Sequence, residues 1–163
     1  MKKLNTKTIA LSGIIAAAYA VITILWPLSF GTVQFRLSEA LCILPAFAPV
    51  TAIGLTVGCL IANLFSTVSA LDIIIGTLAT AIGCALTTRC KKLWLIPLPT
   101  ILSNTILVGA MLAWVFTPDA FWQGFLLNGA GVAFGEAVVM YGLGLPLATL
   151  LRKTRLLERI NLI

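Results

Sequence analysis

Arg36 and Glu39 stand three residues apart in the run Val33-Gln34-Phe35-Arg36-Leu37-Ser38-Glu39-Ala40, at the edge of a long apolar stretch. Two further acids, Asp72 and Glu136, and three amides, Asn63, Asn104 and Asn128, lie inside or beside apolar runs. An ionisable group at the centre of a membrane helix costs on the order of 3 kcal/mol, and is kept where it meets a partner or a wet cavity. Carboxylates and amides gathered in this way suit recognition of the hydrogen-bonding edge of a small polar molecule. They suit catalysis poorly. The chain has no histidine and no paired Asp motif, so acid–base chemistry would rest on isolated carboxylates or serines. Cys42, Cys59, Cys84 and Cys90 show no CxxC spacing and read as small packing residues. No metal site, no cofactor and no enzymatic activity is expected.

The elements that carry these residues follow from composition. Of 163 residues, 60% are hydrophobic and only 10% charged, with a mean hydropathy of +1.09. A soluble domain would carry about 25% charged residues. An all-α integral membrane protein forming one compact domain is the expectation. The net charge of +6 does not signal nucleic-acid binding, because the basic residues flank apolar runs. Lys2, Lys3 and Lys7 open the chain, Arg89, Lys91 and Lys92 form a knot, and Arg152, Lys153, Arg155 and Arg159 close it. That is the distribution of cytoplasmic juxtamembrane charge. Arg36 alone does not fit it.

Apolar runs fall at about 8–26, 37–65, 72–88, 93–116 and 124–151. The basic start and apolar stretch from Met1 to Trp26 read as a retained first span rather than a signal peptide, lacking a small-residue cleavage site. The 37–65 run carries Pro45 and Pro49 at its middle, where proline removes a backbone donor. If it crossed once, the Arg89–Lys92 knot would lie outside. If it turns near Pro45 to Val50, every basic group except Arg36 is cytoplasmic. The count is therefore six transmembrane helices, about 8–26, 37–47, 50–65, 72–88, 93–116 and 124–151, with both termini cytoplasmic. The second and third are too short for a core of about 30 Å, which is tolerated in buried or cavity-lining helices.

With this topology, Arg36, Glu39, Asn63, Asp72 and Asn128 fall towards the external ends of their spans, and Asn104 and Glu136 near mid-depth. Glu136, within Gly129-Ala130-Gly131-Val132-Ala133-Phe134-Gly135, is the foremost ligand-contact candidate. Its structural alternative is a carboxylate paired with Arg36 or hydrogen-bonded to Asn104. Arg36 and Glu39 could equally form an interfacial i, i+3 ion pair, and Asp72 could cap its helix. Trp26, Phe30, Phe35, Trp114, Phe121 and Trp122 fit an interfacial belt. Phe30 and Phe35, in a loop with Gly31, could instead close over a flat ligand, and Trp114 could stack on one. In the first span Ala10, Gly13, Ala17 and Ala20 share a face, overlapped by Ala16-x-x-x-Ala20. Such spacing allows close helix approach, within the bundle or with a separate membrane subunit.

A small six-helix protein with an external polar site and a small-residue first helix resembles the substrate-binding S components of energy-coupling factor (ECF) transporters. Within that group, Val33-Gln34-Phe35-Arg36-Leu37-Ser38-Glu39-Ala40-Leu41, followed by Leu44-Pro45, resembles the signature of the queuosine-precursor transporter (QueT) family. The resemblance runs over nearly the whole chain, and the nine-residue segment is its most specific part. It implies capture of a 7-deazaguanine precursor of queuosine outside the cell and release inside. It also implies as partners a transmembrane coupling subunit and two ATPase subunits, the former met through Ala16 and Ala20, with Gly13 and Ala17 on the adjoining face. No Walker-type Gly-x-x-x-x-Gly-Lys-Ser/Thr occurs in the chain, consistent with ATP hydrolysis elsewhere. The implied location is a prokaryotic plasma membrane.

The physical chemistry of the residues agrees with such a ligand. A guanine-like edge offers adjacent N1–H and amine donors to a carboxylate, amides can pair with its carbonyl, and an aminomethyl arm seeks a second acid. Glu39, Glu136 and Asp72 are the candidate acids, and Arg36 is assigned the role of positioning Glu39 through an ion pair. An S component for another vitamin-like molecule, a pore-forming or structural membrane protein, and an intramembrane enzyme are the alternatives. The even number of crossings is open to direct test. An engineered cysteine in the Arg89–Lys92 knot should resist an impermeant thiol reagent in intact cells, and labelling there would refute the topology.

Overall fold

The computed structural model describes residues 6–30 and 33–154. Lys2, Lys3, Gly31, Arg155 and Arg159, together with the Lys7 side chain, lie outside the described residues. The described chain is all helical, with no strand among those residues. Helix α1 is Thr6–Leu25, followed by a 3₁₀ helix at Leu37–Ala46, then α2 (Thr51–Asn63) and α3 (Leu71–Thr87). Next come α4 (Leu98–Phe116) and α5 (Phe121–Val139), which continues through a π-helical turn at Met140–Gly144 into α6 (Leu145–Thr154). Three helical stretches, Thr8–Leu25, Leu93–Phe116 and Pro118–Thr154, are long and apolar enough to cross a membrane.

The 37–65 run breaks between Ala46 and Thr51, at the second of its two prolines. Its first arm is 3₁₀ rather than α-helical, a difference the hydropathy pattern does not signal. At about 2.0 Å per residue its ten residues reach about 20 Å. The thirteen residues of α2 reach a similar length at about 1.5 Å each. The tighter winding thus lets the shorter arm match the longer one, and both stop short of a core of about 30 Å. In a 3₁₀ helix residues three apart eclipse, so Arg36, Glu39, Cys42 and Pro45 stand in one column.

The π turn has a local cause. Pro146 cannot donate a backbone hydrogen bond, and its ring crowds the carbonyl four residues back, which belongs to Gly142. The helix widens there instead of breaking. Gly144, within the turn, approaches Ile43 and Ala40 of the 3₁₀ helix at 3.2 and 3.4 Å, measured from where a Cβ would stand.

Helices α1 and α2 pack through small residues. A Cβ on Gly58 would sit 2.6 Å from the Ala16 carbonyl oxygen and 2.9 Å from the Tyr19 Cβ. Ala16 and Ala20 are buried, and Ala16 faces α2. Helix–helix packing inside the bundle uses the Ala16 side of α1. Gly13 and Ala17 are exposed. Gly58→Leu should therefore lower stability by about 2 kcal/mol through overpacking, whereas Gly13→Leu, with nothing within 4 Å, should leave the thermal midpoint in detergent unchanged. Equal midpoints for the two variants would contradict this packing.

Candidate substrate-binding site

Arg36, Glu39, Asp72 and Glu136 are each no more than 2% exposed. Four ionisable groups at that depth require partners, and these partners define the site.

Arg36 precedes the 3₁₀ helix in extended conformation. Its Nη2 contacts Asp72 Oδ2 at 3.3 Å, its Nε donates to the Ser29 carbonyl at 3.1 Å, and its guanidinium lies 5.3 Å from the centre of the Phe30 ring. One sequence expectation is corrected here: Arg36 pairs with Asp72 rather than with Glu39, because Asp72 reaches it from α3 while Glu39 is engaged elsewhere. Asp72 stands in the first turn of α3, and the Leu71 N–H at that end is met by Ser69 Oγ at 3.2 Å. The Asp72 Oδ2 also accepts from Ser66 at 2.7 Å, so it ties the loop before α3 to the arginine.

Glu39 is held from three directions. The Tyr19 hydroxyl of α1 donates to Oε1, Thr80 of α3 donates to the same oxygen at 3.4 Å, and Cys42, one 3₁₀ turn on, donates to Oε2 at 3.1 Å. Both oxygens are occupied. Glu39 thus joins α1, the 3₁₀ helix and α3.

Glu136 on α5 differs. Asn104 of α4 donates to its Oε1 at 3.0 Å, the hydrogen-bonded alternative raised from the sequence, while Oε2 has no protein partner. Asn63 donates to the Asp72 carbonyl at 3.0 Å and lies within 3.4 Å of Cys59 and Thr77. These contacts fix which atom of each amide is the nitrogen, and they leave Asn63 Oδ1 and Asn104 Oδ1 buried without partners, along with Asp72 Oδ1. The unsatisfied atoms of these four side chains are all acceptors. Unpartnered groups able to donate accompany them, the Gln34 Nε2 amide and the Ser29 and Thr105 hydroxyls. Gln34 is brought to α5 because position 135 is glycine: a Cβ there would collide with the Gln34 carbonyl.

The remaining sequence candidates fall outside this network. Asn128 donates to the Gly124 carbonyl of its own helix at 2.8 Å. Trp114 is 67% exposed. Phe35 meets Phe134 edge-on with ring centres 6.0 Å apart and lines a groove with Trp26 and Val138. Of the aromatic candidates, Phe30 lies against the polar cluster, where Arg36 covers its ring. Tyr19, Thr80, Gln34 and Ser66 are members of the network that the sequence reading did not single out. For Tyr19 a signal existed, since Ala16, Tyr19, Ala20 and Thr23 fall on one helical face and place a hydroxyl in mid-span.

A profile of the QueT transporter family matches residues 9–153. A curated relative, "Queuosine precursor transporter QueT" of Lactococcus lactis subsp. cremoris, is 38% identical over 85 residues, which is 50% of this chain and 50% of the relative. The match thus spans about half the length of that relative. No solved structure matches the chain. The profile takes in the whole buried polar network, from Tyr19 to Glu136, and on that match the chain belongs to the QueT transporter family.

Proposed function

We propose that this chain is the substrate-binding membrane subunit of an ECF-type importer and that it captures a 7-deazaguanine precursor of queuosine. One observation carries the reading: Glu136, Asn104, Asp72 and Asn63 each keep an acceptor oxygen that is buried and unpartnered. Leaving such a group unsatisfied costs about 1–3 kcal/mol, and a ligand rich in N–H donors would recover it. A deazaguanine presents N1–H and an amine on one edge, and an aminomethyl arm adds an ammonium.

Charge allots these groups. Arg36 already neutralises Asp72, so Asp72 Oδ1 and Asn63 Oδ1 suit the neutral donor edge. Among the described residues Glu136 has no salt-bridge partner and therefore suits the ammonium, while Gln34 Nε2 donates to the ring carbonyl. The name of the Lactococcus relative and the Val33–Leu41 segment support the same substrate class. In this reading the chain is one domain of six spans in the cell membrane with both ends cytoplasmic. A separate coupling subunit and two ATPases supply the energy. Docking of that subunit falls to the exposed Gly13 and Ala17 rather than to Ala16 and Ala20.

Titration of the purified protein with aminomethyl-deazaguanine, its nitrile analogue, queuine, guanine, thiamine and riboflavin, read by tryptophan fluorescence, tests the class. Tight binding of a deazaguanine is expected; binding of only an unrelated vitamin would retain the S-component reading and remove this substrate. Glu136→Gln should weaken the aminomethyl ligand by about tenfold or more while barely changing the nitrile, as loss of a charged hydrogen bond implies. Equal losses for both ligands would contradict the allotment. Asp72→Asn should weaken both ligands alike and also lower the thermal midpoint, because it strands a buried guanidinium.

A further inference from the structure

A second feature, an open apolar groove, lies away from the buried polar network. It has a volume of about 540 Å³ between α3 and α4, walled by Ile82 and Leu86 on one side and by Leu98, Leu102 and Ile106 on the other, with Arg89 at its end. The groove exists because the two helices meet through small residues at its floor. A Cβ on Gly83 would stand 2.7 Å from Ser103 Oγ and 2.8 Å from Thr100 Cα. The Ser103 hydroxyl is turned back onto the Pro99 and Thr100 carbonyls, and the Thr100 hydroxyl is buried beneath them, so the exposed lining is almost wholly apolar. The rims, Ile82, Leu86, Leu102 and Ile106, are exposed.

Three features identify an occupant. From Leu98 to Ile106 the α4 wall runs for about 12 Å at about 1.5 Å per residue, close to the depth of one leaflet of a core of about 30 Å. At the groove's end Arg89, Lys91 and Lys92 are exposed, and none forms an ion pair among the described residues. Trp94, 58% exposed, follows immediately, as aromatic residues do at a membrane–water boundary. An apolar slot one leaflet deep, closed at the boundary by unpaired cations, matches an acyl chain carrying a negative headgroup. We propose that this groove holds one acidic glycerophospholipid, its acyl chain between α3 and α4 and its phosphate at Arg89, Lys91 and Lys92. The proposal requires a bilayer but no particular transport substrate.

The probe is a variant in which Trp26, Trp114 and Trp122 are replaced by Phe, leaving Trp94 as the only tryptophan, reconstituted in zwitterionic vesicles. A small fraction of acyl-brominated phosphatidylglycerol should quench Trp94 about twofold or more beyond the same fraction of brominated phosphatidylcholine. Arg89→Gln, Lys91→Gln and Lys92→Gln together should abolish that preference. Leu102→Phe with Ile106→Phe, changes at exposed positions that fill the slot, should abolish it too while the helical circular dichroism is retained. Equal quenching by the two lipids would overturn the proposal. A preference that survives filling would overturn it as well, leaving surface attraction alone. A dimer that shields Trp94 from both lipids would assign the groove to a second copy of the chain instead.

Discussion

The buried guanidinium of Arg36 is the constraint on which the rest of the structure depends. Removing it from water is costly, and one missing partner in such a pair is worth about 3–5 kcal/mol. Its compensation comes from three places: the Asp72 carboxylate of α3, the Ser29 carbonyl and the Phe30 ring. Satisfying one side chain therefore fixes the segment before the 3₁₀ helix against α3. One 3₁₀ turn later Glu39 performs the same task toward α1 and α3 through Tyr19 and Thr80. The Arg-x-x-Glu spacing couples two consecutive joints, each with its own partners, rather than one internal ion pair.

Two kinds of buried acid result, and the distinction bears on function. Glu39 has both oxygens engaged, by Tyr19, Thr80 and Cys42. Glu136 and Asp72 each have one oxygen engaged and one without a partner. A network that is half satisfied is poor for stability, and its retention is explained when something else completes it. The engaged oxygens hold the side chains in place, so the open ones are presented in a fixed arrangement before any ligand arrives.

Much of this was legible in the sequence, for definable reasons. Composition and the placement of basic residues indicated an all-helical membrane protein, and the prolines at 45 and 49 marked the break in the 37–65 run. The lone arginine and the embedded acids pointed to the network, because ionisable groups in apolar runs are rarely idle. The pairings were not legible. Arg36 and Glu39 are neighbours along the chain, yet each finds its partners across helices, and sequence spacing favours the local contact. The 3₁₀ winding of 37–46 was hidden as well, since hydropathy does not distinguish it from a short α-helix. The small-residue stripe of α1 allowed close approach either within the bundle or with a separate subunit, and the glycines of α2 opposite Ser12 and Ala16 show where α2 meets it.

The 3₁₀ segment also limits how this chain can vary. Its columns repeat at three residues per turn, so losing or gaining one residue between 37 and 46 would rotate everything beyond the change by about a third of a turn relative to Arg36. Before Glu39 such a change would swing the carboxylate away from Tyr19 and Thr80; after it, Ile43 would leave its place against Gly144. Substitution can be absorbed along this stretch where side chains have room, but insertion and deletion cannot, and its length is set by geometry rather than by composition.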